Sequence, residues 1–234
     1  MAGIPESKLL AVIDDEETPD FQFLLRLSPV LGLHVADLFV LAGVQVPEEL
    51  SPLDSEADWL VPNIVQNAVR FPPHSRKRLL ELVRSLPQCE RTRPLRERKD
   101  YERYPPGFGG ILVRMLENRN LKWLSSAKVL HILGGSPPMS AHVIGALGRG
   151  EREITPRLLA DFSAILGISE GDLAAVGGVA AGVAFPPAPG SAASGPRVVL
   201  SIICRVNPGF REKKVHPGTP NSPGNPDTPG FWGG

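Results

Sequence analysis

Apolar residues recur at helical spacing along much of the chain. Between residues 75 and 86, for example, Leu79, Val83 and Leu86 fall on one face while charged side chains occupy the other. This arrangement is typical of an amphipathic helix. The same spacing, with prolines and glycines as breaks, predicts helices over 6–14, 19–31, 35–42, 62–70 and 75–86.

A second group of short helices is predicted further along the chain. Gly167 follows an apolar period that ends at Leu166, and a glycine in that position typically ends a helix. The predicted helices lie around 111–116 and over 123–133, 140–147, 155–166 and 170–176. None of these segments shows the alternation of a strand. The pattern therefore predicts an all-α protein.

Breaks in the helical pattern divide the chain into four parts. Residues 1–86 are predicted to form an acidic helical domain, and residues 107–183 a second helical domain. Residues 87–106 lack an apolar period and are interpreted as a basic linker or exposed arm. Residues 184–234 are predicted to be a disordered tail, because ten prolines and eight glycines among the last 50 residues leave too little apolar surface to offset backbone entropy.

The formal net charge of zero hides an uneven distribution. Residues 1–69 contain 12 acidic and 2 basic side chains, a net charge of −10, whereas residues 70–104 contain 5 and 11, a net charge of +6. Both segments could be solvated surface, or the basic segment could meet phosphates. A further interpretation is that the acidic head covers the basic connector and lowers DNA affinity. Charge alone does not separate these alternatives.

One segment of the chain is similar to another at an offset of 135 positions. Residues 24–44 align without gaps with residues 159–179, and eight of the 21 positions are identical. Thr18 and Thr155, each followed by proline, are predicted to cap the helix that begins each copy. Duplication and convergence on one helix–glycine–helix corner both explain the similarity. Duplication predicts that the two corners pack alike.

The segment that bears most on function is SAHVIGALGRGEREITPRLLADFSAILGISEGDLAAV, residues 140–176. It resembles the lambda-repressor/Cro-type (XRE) helix-turn-helix, with a recognition helix, a loop containing glycine, a fourth helix ending in Leu-Gly and a short fifth helix. Residues 1–183 as a whole are similar to actinobacterial helix-turn-helix proteins. The stretches YERYPPGFGGILVRMLENRN and RLLADFSAILGISEGDLAAV carry most of the likeness. The resemblance implies a five-helix bundle and a transcriptional regulator that binds double-stranded DNA.

The resemblance also suggests which residues would face DNA. The outward positions of the recognition helix fall on Ala141, His142 and Ala146, and Arg149 matches a loop position that commonly touches phosphate. Gly150, beside it, suits a backbone that needs positive φ. The predicted DNA-binding residues are Arg119, Lys122, Ser140, Ala141, His142, Ala146, Arg149 and Arg152. The four cations among them are predicted phosphate contacts.

The expected base readout is modest. The predicted reading face lacks arginine, glutamine and asparagine, which discriminate base edges best. In addition, the connection from Ala127 to Ile144 is about seven residues longer than in the usual pattern, so either the second helix is extended or the turn is rebuilt around Pro137 and Pro138. The alternative function is a degenerate helix-turn-helix that serves as a protein–protein interaction module, pairing with itself or a partner through the N-terminal helices.

Signals for an enzyme, a cofactor or a metal are weak. His131 and His142 have no carboxylate or cysteine at ligand spacing, so no metal site is predicted. The glycines at 107–110 lack the context of a phosphate-binding loop, and no cofactor is expected. The two cysteines, Cys89 and Cys204, form no disulfide framework. Together with the absence of a long apolar segment or leader, the two lone thiols predict a soluble cytoplasmic protein. Since no catalytic motif is found either, the protein is not expected to be an enzyme.

Overall fold

The computed structural model describes residues 3–87 and 99–178, and every regular element within them is helical. This confirms the all-α prediction. The predicted disorder of 184–234 and most of the predicted linker lie outside the described residues. The α-helices of the described part are α1 (Glu6–Ile13), α2 (Phe21–Leu31), α3 (Val35–Leu41), α4 (Leu60–Arg70), α5 (Pro73–Ser85), α6 (Phe108–Glu117), α7 (Trp123–Val129), α8 (Ala141–Gly148), α9 (Pro156–Leu166) and α10 (Glu170–Gly177).

Short 3-10 and π-helical segments lie between or next to these α-helices. Three 3-10 helices cover Glu48–Leu50, Ser55–Trp59 and Asp100–Glu102, and a π-helical turn covers Leu130–Gly134. Within the described part of the chain, no single helix has both the length and the apolar composition needed to cross a membrane. Helices α2 and α3 meet that test only as a pair, and they are bent by 113° at the break between them.

The larger hydrophobic core draws residues from both halves of the chain. Val61 and Val65 of α4 are buried in the same cluster as Leu112 and Leu116 of α6 and Ala127 of α7. Helix α3 also packs on α6, and α4 packs on α7. A smaller cluster, built around Phe23 and Phe39, lies beneath α2 and α3. The larger core therefore contains residues of both segments, 1–86 and 107–183, that the sequence pattern separates.

The two similar corners, α2–α3 and α9–α10, have matching local geometry. Gly32 and Gly167 end α2 and α9 in the left-handed conformation, with φ of 66° and 70°. In each corner a serine hydroxyl, from Ser28 or Ser163, donates to the carbonyl oxygen five residues later over 2.6 Å. Because the same hydrogen bond recurs at offset 135, the likeness extends from residue type to backbone path.

The N-terminal caps of the two corners also occupy equivalent positions. The predicted cap of α2, Thr18, is wrong. Asp20, not Thr18, caps α2, and its carboxylate accepts from the Phe23 amide over 2.7 Å. Thr155 caps α9 as predicted, and its hydroxyl oxygen accepts from the Leu158 amide over 3.2 Å. Asp20 and Thr155 are 135 positions apart, so the caps keep the offset that Thr18 breaks. The carboxylate offers a better-placed acceptor than a threonine two residues further away.

A buried ion pair connects the first corner to the rest of the core. The Arg119 guanidinium lies 2.8 Å from an Asp37 carboxylate oxygen, and the two side chains are 2% and 0% exposed. Arg119 also donates to the carbonyl oxygens of Met115 and Leu166, over 2.8 and 3.1 Å. Asn118 donates to Asp37 over 2.9 Å. Because Leu166 ends α9, Arg119 contacts both similar corners.

The connection between α7 and α8 begins with an extension of the second helix of this domain, one of the two predicted alternatives. The π-helical turn extends α7 to Gly134, and Gly135 then adopts the left-handed conformation with φ of 77°. Beyond it the Ser136 hydroxyl donates to Asp161 of α9, and the Ser136 carbonyl contacts the His131 ring over 2.7 Å. Burial raises the pKa of Asp161, against the opposing effects of Ser136 and Arg157. The rebuilt turn is therefore tied to α9 by polar contacts.

Candidate nucleic-acid interface

Helix α8, the predicted recognition helix, is anchored through its second half. Ile144 and Leu147 are fully buried against α6 and α7. Only the start of the helix faces solvent: Ser140 and His142 are exposed and Ala141 is half-buried. Ala146 is 7% exposed and cannot reach a thymine methyl group, so it leaves the set of outward positions. The surface available for reading bases is limited to the first turn.

Two aromatic rings cover the middle of α8. A Cβ atom placed on Gly145 would lie 2.7 Å from the indole ring of Trp123, and one on Gly148 would lie 2.6 Å from the ring of Tyr104. Glycine is required at both positions because the rings lie directly on the helix backbone. The sequence offers one signal for this contact. Glycine is unusual inside a helix, and the predicted helix 140–147 and its end contain two, Gly145 and Gly148, which suggests that another group approaches the backbone closely.

Hydrogen bonds fix the positions of these rings. The indole N–H of Trp123 donates to the Tyr104 hydroxyl over 2.6 Å, and that hydroxyl donates to the Glu117 carboxylate over 3.0 Å. Tyr101 packs edge-on against Trp123, with 5.5 Å between ring centroids. The indole is therefore held on α8 from two sides. Sequence reasoning missed Tyr101 and Tyr104 as neighbours of α8 because they precede it by about 40 positions.

A groove of 740 Å³ opens beside the first turn of α8. Tyr101 and Trp123 form its aromatic wall, and Lys122 and Arg149, two of the predicted phosphate contacts, also line it. The complete lining is Asp58, Tyr101, Glu102, Glu117, Lys122, Trp123, Leu124, Ala141, His142 and Arg149. The structure thus brings Lys122, Ala141, His142 and Arg149 together, as predicted, but places three carboxylates among them.

Arg149 and Arg152 follow α8 and differ in their partners. Arg149 forms two hydrogen bonds with Glu151, at 2.6 and 2.8 Å, and its guanidinium carbon lies 5.7 Å from the centre of the Trp123 ring. Its pKa is raised by the Glu151 carboxylate, and the pKa of Glu151 is lowered in return. Arg152 is exposed, with no ion pair to a described residue. Gly150 has φ of 72°, which confirms the expected left-handed loop.

Lys122 meets an acidic segment, here defined as residues 54–58, that leads into α4. Its ammonium nitrogen lies 3.3 Å from a Glu56 oxygen and 3.7 Å from an Asp58 oxygen. The Ser125 hydroxyl donates to Asp58 over 2.7 Å. The sequence pattern predicted no helix between residues 42 and 62 and assigned this stretch no role in the site. Its position could not be read from local pattern, because it depends on α4 packing against α7.

Arg119 lies away from this surface. Its burial and its ion pair with Asp37 leave no path to a phosphate, so the predicted phosphate contact is wrong for this residue. An arginine just beyond a helix end can extend into solvent or be buried in the interior. Only the packing of α3 on α6 shows that Arg119 is buried. In residues 3–87 and 99–178, no group of three or more histidine, cysteine or acidic side chains is placed to hold a metal ion.

Comparison with known protein families, with curated proteins and with solved structures found no match for this chain.

Proposed function

We propose that the protein is a DNA-binding transcriptional regulator in which the first turn of α8 approaches the major groove. The observation that carries the proposal is the exposed start of α8, Ser140 to His142, held on a rigid core next to Arg149 and Arg152. A short helix fixed in this way can touch base edges while neighbouring cations meet phosphates. This role implies a cytoplasmic location.

Contacts to phosphate would dominate the affinity. Ser140 and His142 can hydrogen-bond to bases, whereas Ala141 offers only an apolar contact. Arg152 is the most accessible cation beside α8, and Arg149 can share its guanidinium between Glu151 and a phosphate. The protein would therefore bind duplex DNA with modest sequence preference and with an affinity that falls steeply as salt rises.

The test is a salt titration of binding to duplex DNA. Replacing Arg149 and Arg152 together by alanine should weaken binding to all sequences alike and reduce the salt slope by about 0.9 for each phosphate that is no longer neutralised. His142→Ala should instead change the preference among sequences. Replacing the exposed pair Lys77 and Arg78 of α5 is the matched control, with a smaller expected effect. No measurable affinity of the wild-type protein at low salt would overturn the proposal.

A second candidate function is protein–protein interaction. The observation that favours it is the composition of the groove, where Asp58, Glu102 and Glu117 stand beside two exposed aromatic or apolar side chains, Tyr101 and Leu124. Such a surface suits a partner with basic side chains. Binding of a lysine- and arginine-rich peptide, together with no binding of duplex DNA, would select this function.

A further inference from the structure

The acidic segment is attached to the predicted DNA-facing surface at several points. Besides the contacts of Glu56 and Asp58 with Lys122, the Asn120 side chain donates to the Asp54 carbonyl over 2.9 Å. Ser125 donates to both the carboxylate and the carbonyl of Asp58, over 2.7 and 3.2 Å. These contacts join residues 64 to 67 positions apart, so they belong to the tertiary fold and not to a local turn.

The attachment is also supported by the larger core. The acidic segment runs directly into α4, whose Val61 and Val65 are 5% and 0% exposed in the larger core. Helix α4 packs on α7, which begins immediately after Lys122. The carboxylates of Glu56 and Asp58 are therefore held beside Lys122 by buried apolar packing, without relying on the weak attraction of an exposed ion pair.

We infer that the acidic segment is a built-in electrostatic screen that lowers the affinity of the α8 surface for DNA phosphates. Lys122, Asp58 and Arg149 line the same groove, so a phosphate that approaches Lys122 also meets the negative charge of Asp58. The Glu56 carboxylate also accepts a hydrogen bond from Lys122, over 3.3 Å, that a phosphate oxygen would otherwise accept. The inference rests on the proposed DNA binding and adds a cause for its low affinity, which is the charge of the acidic segment.

The test removes the two charges without changing side-chain shape. Glu56→Gln with Asp58→Asn keeps an acceptor for Ser125 and for Lys122. Duplex affinity at low salt should rise about tenfold, because the repulsion between the two carboxylates and a phosphate bound at Lys122 is removed. The salt slope should steepen by about 0.9, since Lys122 then becomes available to one phosphate. Adding Lys122→Gln should abolish the gain.

The matched control is Asp14→Asn with Glu16→Gln. It removes one aspartate and one glutamate charge from the same acidic half of the chain, at exposed positions outside the groove. A gain by the control as large as that of the first variant would overturn the inference, because net charge alone would then explain it. Equal affinities for the wild type and both variants would also overturn it while leaving DNA binding intact. Failure of all three proteins to bind duplex DNA would overturn the proposed function, and the inference with it.

Discussion

Asp37 and Arg119 form an ion pair with 2.8 Å between the carboxylate oxygen and the guanidinium nitrogen, and water is excluded from both side chains. The residue that corresponds to Asp37 in the second corner is Asp172, which lies in the exposed first turn of α10, where its carboxylate accepts a hydrogen bond from the hydroxyl of the N-cap residue Ser169 over 2.6 Å. Equivalent aspartates thus form a buried ion pair in one corner and an exposed hydrogen bond at a helix start in the other. This contrast offers a matched pair for mutation.

Asp37→Asn should destabilise the protein by about 3–5 kcal/mol, because it leaves the charge of Arg119 buried without a counterion. Asp172→Asn should cost less than about 1 kcal/mol, because the asparagine carbonyl oxygen can still accept from Ser169 and water reaches the site. Denaturant unfolding of the two variants measures the difference. Losses of similar size in both would show that the buried pair contributes no more than an exposed hydrogen bond in the first turn of a helix.

His34 makes the stability of this region depend on pH. Burial lowers its pKa, with nearby Asp37 opposing the effect and Arg119 adding to it. The folded protein therefore binds fewer protons at His34 than the unfolded chain, whose pKa is about 6.5. The contribution of His34 to stability is complete above that value and is lost as the pH falls from it through the lowered folded pKa.

His34→Gln should remove this dependence. The free energy of unfolding of the wild type relative to the variant should decrease between about pH 7 and pH 5, since only the wild type has this histidine to protonate. Thermal unfolding at several pH values provides the measurement. A constant difference between the two proteins across that range would contradict the lowered pKa.

The left-handed glycines of the two corners should contribute equally to stability. Gly32→Ala and Gly167→Ala should each cost about 1 kcal/mol, because the added Cβ disfavours positive φ even though nothing lies within 4 Å of it at Gly32. The costs should add, since the sites are in separate corners. Gly171→Ala, inside α10, is the control and should be neutral or stabilising by up to about 1 kcal/mol. Unequal costs at Gly32 and Gly167, measured by urea unfolding, would argue against equivalent corners.

The Tyr104 hydroxyl should be the polar group that holds the indole on α8. Tyr104→Phe removes the acceptor of the Trp123 N–H and the donor to Glu117, with an expected cost of about 1–2 kcal/mol. Tyr101→Phe also removes one hydroxyl, but its side chain is 49% exposed, so it should cost less than about 0.5 kcal/mol. Calorimetric unfolding distinguishes the two. An equal and small effect would mean that ring packing alone positions Trp123.

Much of the fold could be predicted from the sequence because helix ends are local. The stops at Gly32 and Gly167 and the starts at Val35 and Glu170 follow from capping and periodicity within a few residues. The error at Thr18 has the same origin. Three neighbouring residues there can all begin a helix, and only the hydrogen bond to Phe23 shows that Asp20 does so.

The candidate site was harder to predict because its electrostatics depend on distant contacts. His142 and Arg149 were placed together through the spacing of one helix and its loop. Nothing in the local pattern of Arg119 indicates that its partner is Asp37, 82 positions earlier. Likewise, the approach of Asp58 to Ser125 depends on how α4 packs against α7. The cations of the predicted site could be identified in the sequence, whereas the distant carboxylates that neutralise their charge could not.

The distance along the chain between Asp37 and Arg119 also constrains the order in which the protein can fold during synthesis. Asp37 leaves the ribosome 82 residues before the cation that neutralises it. Val61 and Val65 likewise emerge well before α6 and α7, against which they pack. Until then the first half carries an unpaired carboxylate and an uncovered apolar face, which favours hydration of Asp37 over burial. Completion of the core should therefore await the arrival of α6 and α7 and occur as a late, cooperative step.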